Sequence, residues 1–162
     1  MENEVKATPN EVEILKQAIE HRATWFALLI EEAEKRGLDT TFAREAIRRC
    51  GVFHGMNKFP RTDDLTVFEK TFVTPLLKEA FQMEPQLTEN TLHVSFHYCP
   101  LVAAWKKLGI PEDKLPLLCD IAMDGDRGVA STYKNMKFTL GQTIAQGCPT
   151  CEVHFELLSK GE

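Results

Sequence analysis

No stretch of this 162-residue chain is long and apolar enough to cross a membrane, and the run Trp25 to Ile30 is far too short. The opening Met-Glu-Asn-Glu-Val has neither the basic start nor the apolar middle of a secretory signal, so a cytoplasmic protein is expected. Basic residues do not dominate: a net charge of −5 and a pI near 5.6 speak against general nucleic-acid binding. Five cysteines are an odd number for a disulfide framework, and without a signal all five are expected to be reduced. Gly-rich phosphate loops, a Ser nucleophile elbow and a His-Glu metal helix are all missing. Short repeats and low-complexity tracts are missing too. These absences leave a small-molecule substrate or ligand as the expected partner, with no cofactor, no metal, no nucleic acid and no membrane. A homo-oligomer is compatible with the sequence.

What is present suits one folded domain spanning 1–162. The content is 43% hydrophobic and 27% charged, ordinary for a globular core. The first half, about 10–84, reads as helical. After Pro9-Asn10, residues Val12, Leu15, Ala18, Ile19, Phe26, Leu29, Ile30 and Ala33 recur at helical spacing up to Gly37. Asp39 or Thr40 caps a second helix through Phe42, Ala46, Ile47 and Cys50. Gly51 and Gly55 either let it continue with close backbone packing or end it, and Pro60 interrupts it. Arg44, Arg48 and Arg49 read as a solvated helix face shared with Glu45. Thr62-Asp63-Asp64 starts a third helix through Leu65, Phe68, Phe72, Leu76 and Phe81, with a kink expected at Pro75.

The second half, about 86–158, changes period. Leu87 to Tyr98 reads as a strand, a helix runs from Pro100 to about Leu108, and Gly109 stops it. Pro111-Glu112-Asp113 opens another helix. Met136, Phe138 and Leu140 alternate with polar residues, as do Cys151, Val153, Phe155 and Leu157, so these two strands are expected to pair antiparallel. The expected class is α+β: a helical N-terminal half packed on a small antiparallel sheet with two further helices.

The richest segment is His93-Val-Ser-Phe-His-Tyr-Cys-Pro100. Alternation puts Leu92, Val94, Phe96 and Tyr98 on one face, and His93, Ser95, His97 and Cys99 on the other. Pro100 is pre-organised for a first helical position, which makes Cys99 the cap. A sulfur there lies among unpaired N–H groups and the positive end of the helix dipole, which favours the thiolate. His97, roughly 6–7 Å from Cys99 by strand rise, is a candidate base. His93 reads as solvent-exposed. In the helix after Pro111, Leu115, Leu118, Cys119, Ala122, Met123 and Asp126 share one stripe. An unpaired carboxylate continuing an apolar stripe is costly, so Asp126 is either functional or beyond a helix end near Gly125 and exposed. Cys119 alone reads as a small core residue. The candidate catalytic set is Cys99, His97 and Asp126, with Cys119, Tyr98, Ser95 and Met123 lining the substrate.

Cys148-Pro-Thr-Cys151, followed by His154, has the spacing of a zinc half-site or a redox pair. A strand follows it instead of a helix, and alternation sends Cys151 and His154 to opposite faces, so no metal is assigned. Cys50 reads as structural. Trp25, Trp105, Phe42, Phe68, Phe72 and Phe81 are read as core, while Phe53, His54 and Met56 are candidates to line a pocket.

The order Cys99-Pro100-Leu101, Trp105, Leu108-Gly109, Leu118-Cys119-Asp120, Gly125-Asp126, Gly147, Cys151 and Phe155 resembles the L-2-amino-thiazoline-4-carboxylate hydrolase family. Gly51 to Gly55 and the segment from Phe72 resemble it too, so the likeness runs from about Val12 to Leu158. The ending from Gly147 through Phe155 is also similar, more distantly, to 4-vinyl-reductase-like ligand-binding domains. The first resemblance implies hydrolytic opening of a cyclic amidine with C–N cleavage, a reaction suited to a Cys thiolate. N–H groups at the start of the Pro100 helix would stabilise developing negative charge or hold a substrate carboxylate. Two other readings stand beside this one: a non-catalytic small-molecule sensor, and a metal protein using Cys and His.

Overall fold

The computed structural model describes residues 6–159, and near their start is a capping box. The Thr8 hydroxyl accepts from the Glu11 N–H, and the Glu11 carboxylate accepts from the Thr8 N–H at 2.9 Å. With Pro9 following, this launches α1 (Pro9–Lys35), which buries Ile19, Ala23, Ala27, Ile30 and Ala33. The chain then turns at Gly37, whose φ of 72° favours glycine. α2 (Thr41–Asn57) runs through Gly51 and Gly55 without a break.

The third expected helix is two. α3 (Leu65–Phe72) ends, Thr74 takes extended geometry, and its hydroxyl accepts from the Leu77 N–H to cap α4 (Pro75–Phe81). The residue before a proline avoids the helical region, so the chain breaks where a kink was expected.

The sheet contains β1 (Met83–Leu87), β2 (Thr91–Phe96), β3 (Met136–Leu140) and β4 (Cys151–Leu157), in the order β1-β2-β4-β3 with every pairing antiparallel. The strand expected from Leu87 to Tyr98 is therefore a hairpin turn followed by β2. Hydrogen bonds between Thr88 and Thr91 close the turn. β1 lies in the stretch read as helical or as its boundary. Its Pro85 is tolerated because β1 is an edge strand. β3 and β4 pair as expected, with Phe138 opposite Phe155.

α5 (Pro100–Leu108) stops at left-handed Gly109. Beyond it, the single helix expected after Pro111 is divided. A 3-10 turn at 112–114 leads into α6 (Leu115–Ala122), the chain bends at Met123, and α7 (Asp124–Ser131) follows. The second half thus holds three α-helices where two were expected. The overall class is α+β, as read from the sequence.

Glycines explain α7. A Cβ placed on Gly51 would lie 1.9 Å from the Gly125 carbonyl oxygen, and one on Gly128 would lie 2.2 Å from the Arg48 carbonyl oxygen. α2 and α7 therefore touch backbone to backbone. Beside this contact, Arg44 reaches Asp120 and Asp124 at 2.8 and 3.1 Å, and Arg127 reaches the same two carboxylates at 2.7 Å each. Asp124 is the better buried of the two carboxylates, so its loss leaves two guanidiniums short of a partner. Asp124→Ala is expected to destabilise the protein by about 2 kcal/mol, read as a lower urea midpoint at unchanged slope.

Two cores result. One lies among helices, with Ala27, Ile30, Trp105, Leu115, Leu118 and Ile121, and the Trp105 indole N–H donates to the Ala23 carbonyl at 2.9 Å. The other fills the space under the sheet, with Phe68, Leu92, Val94, Val129, Val153 and Phe155. Trp25 and Phe42, read as core from the sequence, are 63% and 48% exposed.

Candidate functional site

β2 stops at Phe96, and this fixes where the expected site residues go. His97 and Tyr98 continue as a connector, their N–H groups bonded to the carbonyls of Gln82 and Phe81. Alternation no longer holds there. Cys99 leaves the polar face of the sheet and packs against the helical core, together with Met123 and beside buried Cys119. His93, Ser95 and His97 stay on the outer side. The His97 ring nitrogen meets the Glu84 carboxylate at 2.9 Å, largely in solvent. Ser95 donates to Glu152 at 2.7 Å, and His93 meets the same oxygen at 2.6 Å. His93 is half-buried rather than exposed, and its ring stacks on His154 at 4.2 Å. Burial works to raise the Glu152 carboxyl, but hydrogen bonds from Ser95, Thr150 and His93 outweigh it and hold the group below its usual range. The structure thus groups the expected residues in two places, on opposite sides of the connector.

Cys99 is the residue before α5 and has extended geometry, as the proline predicts. Its electrostatics differ from the expectation of a thiolate. Burial pushes the thiol up, and the pull from the Val102 and Leu101 N–H groups and the Arg22 charge is smaller. No capping hydrogen bond to the sulfur is formed. Desolvation in hydrocarbon outweighs a helix start here.

Cys119 and Cys151 share this environment. Burial pushes Cys119 up to about 12, with a smaller contribution from Cys151, while the Thr143 hydroxyl draws it down. Cys151 is pushed up to about 11 by burial, although its sulfur accepts from the Ile144 N–H at 3.1 Å. Cys151 and His154 do lie on opposite faces of β4, Cys151 inward and His154 outward.

Asp126 sits in the first turn of α7. Burial raises its carboxyl to about 6 against the smaller opposing charges of Arg127 and Arg22. Asp120 and Asp124 on the same bend are both held by arginines, whereas the Asp126 carboxylate has no hydrogen-bond partner among the described residues. Arg22 on α1 is the residue the sequence did not reveal. Its charge acts on both Cys99 and Asp126, and it has no carboxylate partner among the described residues. No motif marks it, because the relation depends on how α1 packs across α5.

Tyr98 is half-buried, with the Lys16 ammonium 4.7 Å from its ring centre. Burial and the Glu20 charge raise its hydroxyl. Beside it a shallow groove of about 250 Å³ is lined by Glu20, Thr24, Ala104, Lys107 and Leu108. A smaller cleft of about 20 Å³ lies between α1 and the start of α6. Neither is lined by Cys99, Cys119 or Asp126.

The architecture has a solved counterpart in the crystal structure of trafficking protein particle complex subunit 3 from Naegleria fowleri, covalently bound to palmitic acid. The two agree with a TM-score of 0.55 over 88% of this chain and 96% of that one, at 14% sequence identity, a likeness of fold alone. No curated protein matches the chain. A family model for L-2-amino-thiazoline-4-carboxylic acid hydrolase matches residues 16–155, and the chain belongs to that family.

Proposed function

We propose that this protein is a hydrolase opening a small cyclic C–N substrate of the 2-amino-thiazoline-4-carboxylate kind, at the junction of α1, α5 and α7. One observation carries the reading beyond family membership. A part-buried thiol at a helix start and a part-buried carboxylate with no hydrogen-bond partner among the described residues both feel the charge of the exposed Arg22 guanidinium. These three groups suit a nucleophile, a proton carrier and an anchor for a substrate carboxylate.

The chemistry balances with these residues alone and one water. The Cys99 sulfur adds to the electron-poor ring carbon as its proton passes to Asp126. The ring C–N bond then breaks, and Asp126 returns the proton to the departing nitrogen. Water adds to the covalent carbon, the bond to Cys99 breaks, and one water proton restores the thiol while the other passes to the imino nitrogen on that carbon, so that the carbamoyl product leaves. A carboxyl raised to about 6 can carry a proton in both directions near neutral pH. The N–H groups of Leu101 and Val102 are disposed to stabilise charge building near the sulfur. Within this reading His97 takes no part in the proton transfer, because its ring is engaged with Glu84.

The raised Cys99 thiol favours a second reading, a binding module that retains a small carboxylate without turning it over. Ring-opening assays on wild type and Cys99→Ala separate the two. The hydrolase reading expects turnover to fall at least about a thousandfold in the variant, with a covalent adduct of the wild type seen by mass spectrometry. Binding without product in both proteins supports the sensor instead.

A further inference from the structure

Four charged side chains straddle the bend between α6 and α7. The Arg127 guanidinium donates to the Asp120 carbonyl at 2.9 Å, and to the Asp120 and Asp124 carboxylates at 2.7 Å each. One side chain therefore ties the last turn of α6 to the first residue of α7, across Met123. Arg44 of α2 donates to the second oxygen of each carboxylate, at 2.8 and 3.1 Å, which closes a ring with no net charge. An ammonium could neutralise these carboxylates, but only a planar fork spans both of them and a carbonyl at once.

Asp126 lies between Asp124 and Arg127 in the sequence but outside the ring. Its carboxylate accepts no hydrogen bond from a described residue, so its place is set through the backbone of α7. That backbone is seated on α2 by the close contacts at Gly125 and Gly128, on either side of Asp126. Its angle to α6 is braced by the Arg127 fork. We propose that Arg127 is a positioning residue: its fork across the bend holds the Asp126 carboxyl in the part-buried place where the hydrolase uses it. The catalytic consequence rests on the hydrolase reading, whereas the brace itself rests on the ring geometry. Charge reaches Asp126 from Arg127 on its own helix and from Arg22 on α1, while Arg44 on α2 and Asp120 on α6 are engaged in the ring. The Cys99 and Cys119 thiols are raised by burial and neutral at pH 7. Two roles for Arg127 then differ in sign. As a charge alone it opposes burial, so its loss would raise the Asp126 carboxyl further. As a brace, its loosening lets α7 tilt and water reach the carboxyl, which lowers it toward the ordinary 3.8. Arg127→Lys keeps the charge and removes the fork, and so isolates the brace.

Urea unfolding of the full-length chain as a function of pH tests it. Wild type and Arg127→Lys are each compared with the same chain carrying Asp126→Asn, so that the other titrating groups cancel. Asp126 of the wild type should titrate near 6, and in Arg127→Lys at least about 1 pH unit lower. The Asp126 carboxyl carbon, followed by NMR in the folded protein, gives the same midpoint without unfolding. An unchanged or higher midpoint in Arg127→Lys overturns the proposal. Ring-opening kinetics supply a further readout that a purely structural ion pair would not move. In Arg127→Lys, kcat per folded molecule should fall at least about tenfold with KM within about twofold, because the Arg22 anchor is untouched. A wild-type kcat in that variant also overturns the positioning role. Absence of turnover in the wild type itself removes the hydrolase reading instead, and the titration still decides whether Arg127 braces Asp126.

Discussion

Gly51→Ala is expected to destabilise the protein by about 3 kcal/mol or more, enough to abolish cooperative folding if the native margin is small. Alanine gains about 1 kcal/mol over glycine in a helix interior, so propensity alone predicts the opposite sign. The added Cβ decides the matter. It would lie 1.9 Å from the Gly125 carbonyl oxygen, and that neighbour is backbone, which cannot rotate aside as a side chain can. α2 would have to lift from α7, disturbing the Arg44 contacts to Asp120 and Asp124 as well. Gly125→Ala is the matched control. Its Cβ meets only the Ile47 methyl at 3.6 Å, an ordinary contact, so it should be neutral or stabilising by up to about 1 kcal/mol. Urea unfolding of the two variants reads the difference directly, and equal midpoints would show that the helices are further apart than described.

Asp126→Asn should raise stability at neutral pH and lower activity. In the unfolded chain this carboxyl titrates near 3.8, and in the fold burial raises it to about 6. Between those values the folded state holds a proton that the unfolded state has released, so stability falls as pH rises through the window. Below about pH 4 both states are protonated and the penalty is gone. Above about pH 6 it is fully present and amounts to as much as about 3 kcal/mol. The asparagine variant does not titrate, so its advantage should grow from nearly nothing at pH 4 to its maximum by pH 7. Asp120 and Glu152, whose carboxyls are lowered in the fold, lose stability as pH falls. The difference between wild type and variant is therefore the quantity to follow. In the proposed hydrolase the same substitution removes the proton carrier and should cut turnover by about 10²–10⁴. A variant that is no more stable at pH 7 than wild type would show that Asp126 is solvated.

Much of this was legible in the residues, and the failures have physical causes. The α1 helix, the β3–β4 pairing and Cys99 before the Pro100 helix all rest on local periodicity and proline chemistry, and the structure agrees, although Ala18 and Leu29 of the expected α1 stripe are exposed. α7 was missed because Asp124-Gly-Asp-Arg-Gly has poor helix propensity. Its glycines are explained only by the backbone of α2, which is distant in sequence. β1 was missed because Pro85 argues against a strand unless the strand lies at an edge. Within the site, alternation was carried three residues past the end of β2. That error joined Cys99 to His97 and Ser95, which face the other side. Arg22 and the charge it exerts across α1, α5 and α7 leave no trace in any local window.

The seat of α2 has one more consequence, for divergence. Side chains usually fix a helix to its neighbours, so changing its outward surface risks changing its position. Here main-chain contact at Gly51 and Gly128 sets the position, and most of the circumference is free to vary. Related chains that keep the two small residues can exchange Phe42, Arg49, Phe53 and Met56 wholesale. They could acquire new associations while the helix that carries Asp126 stays where it is.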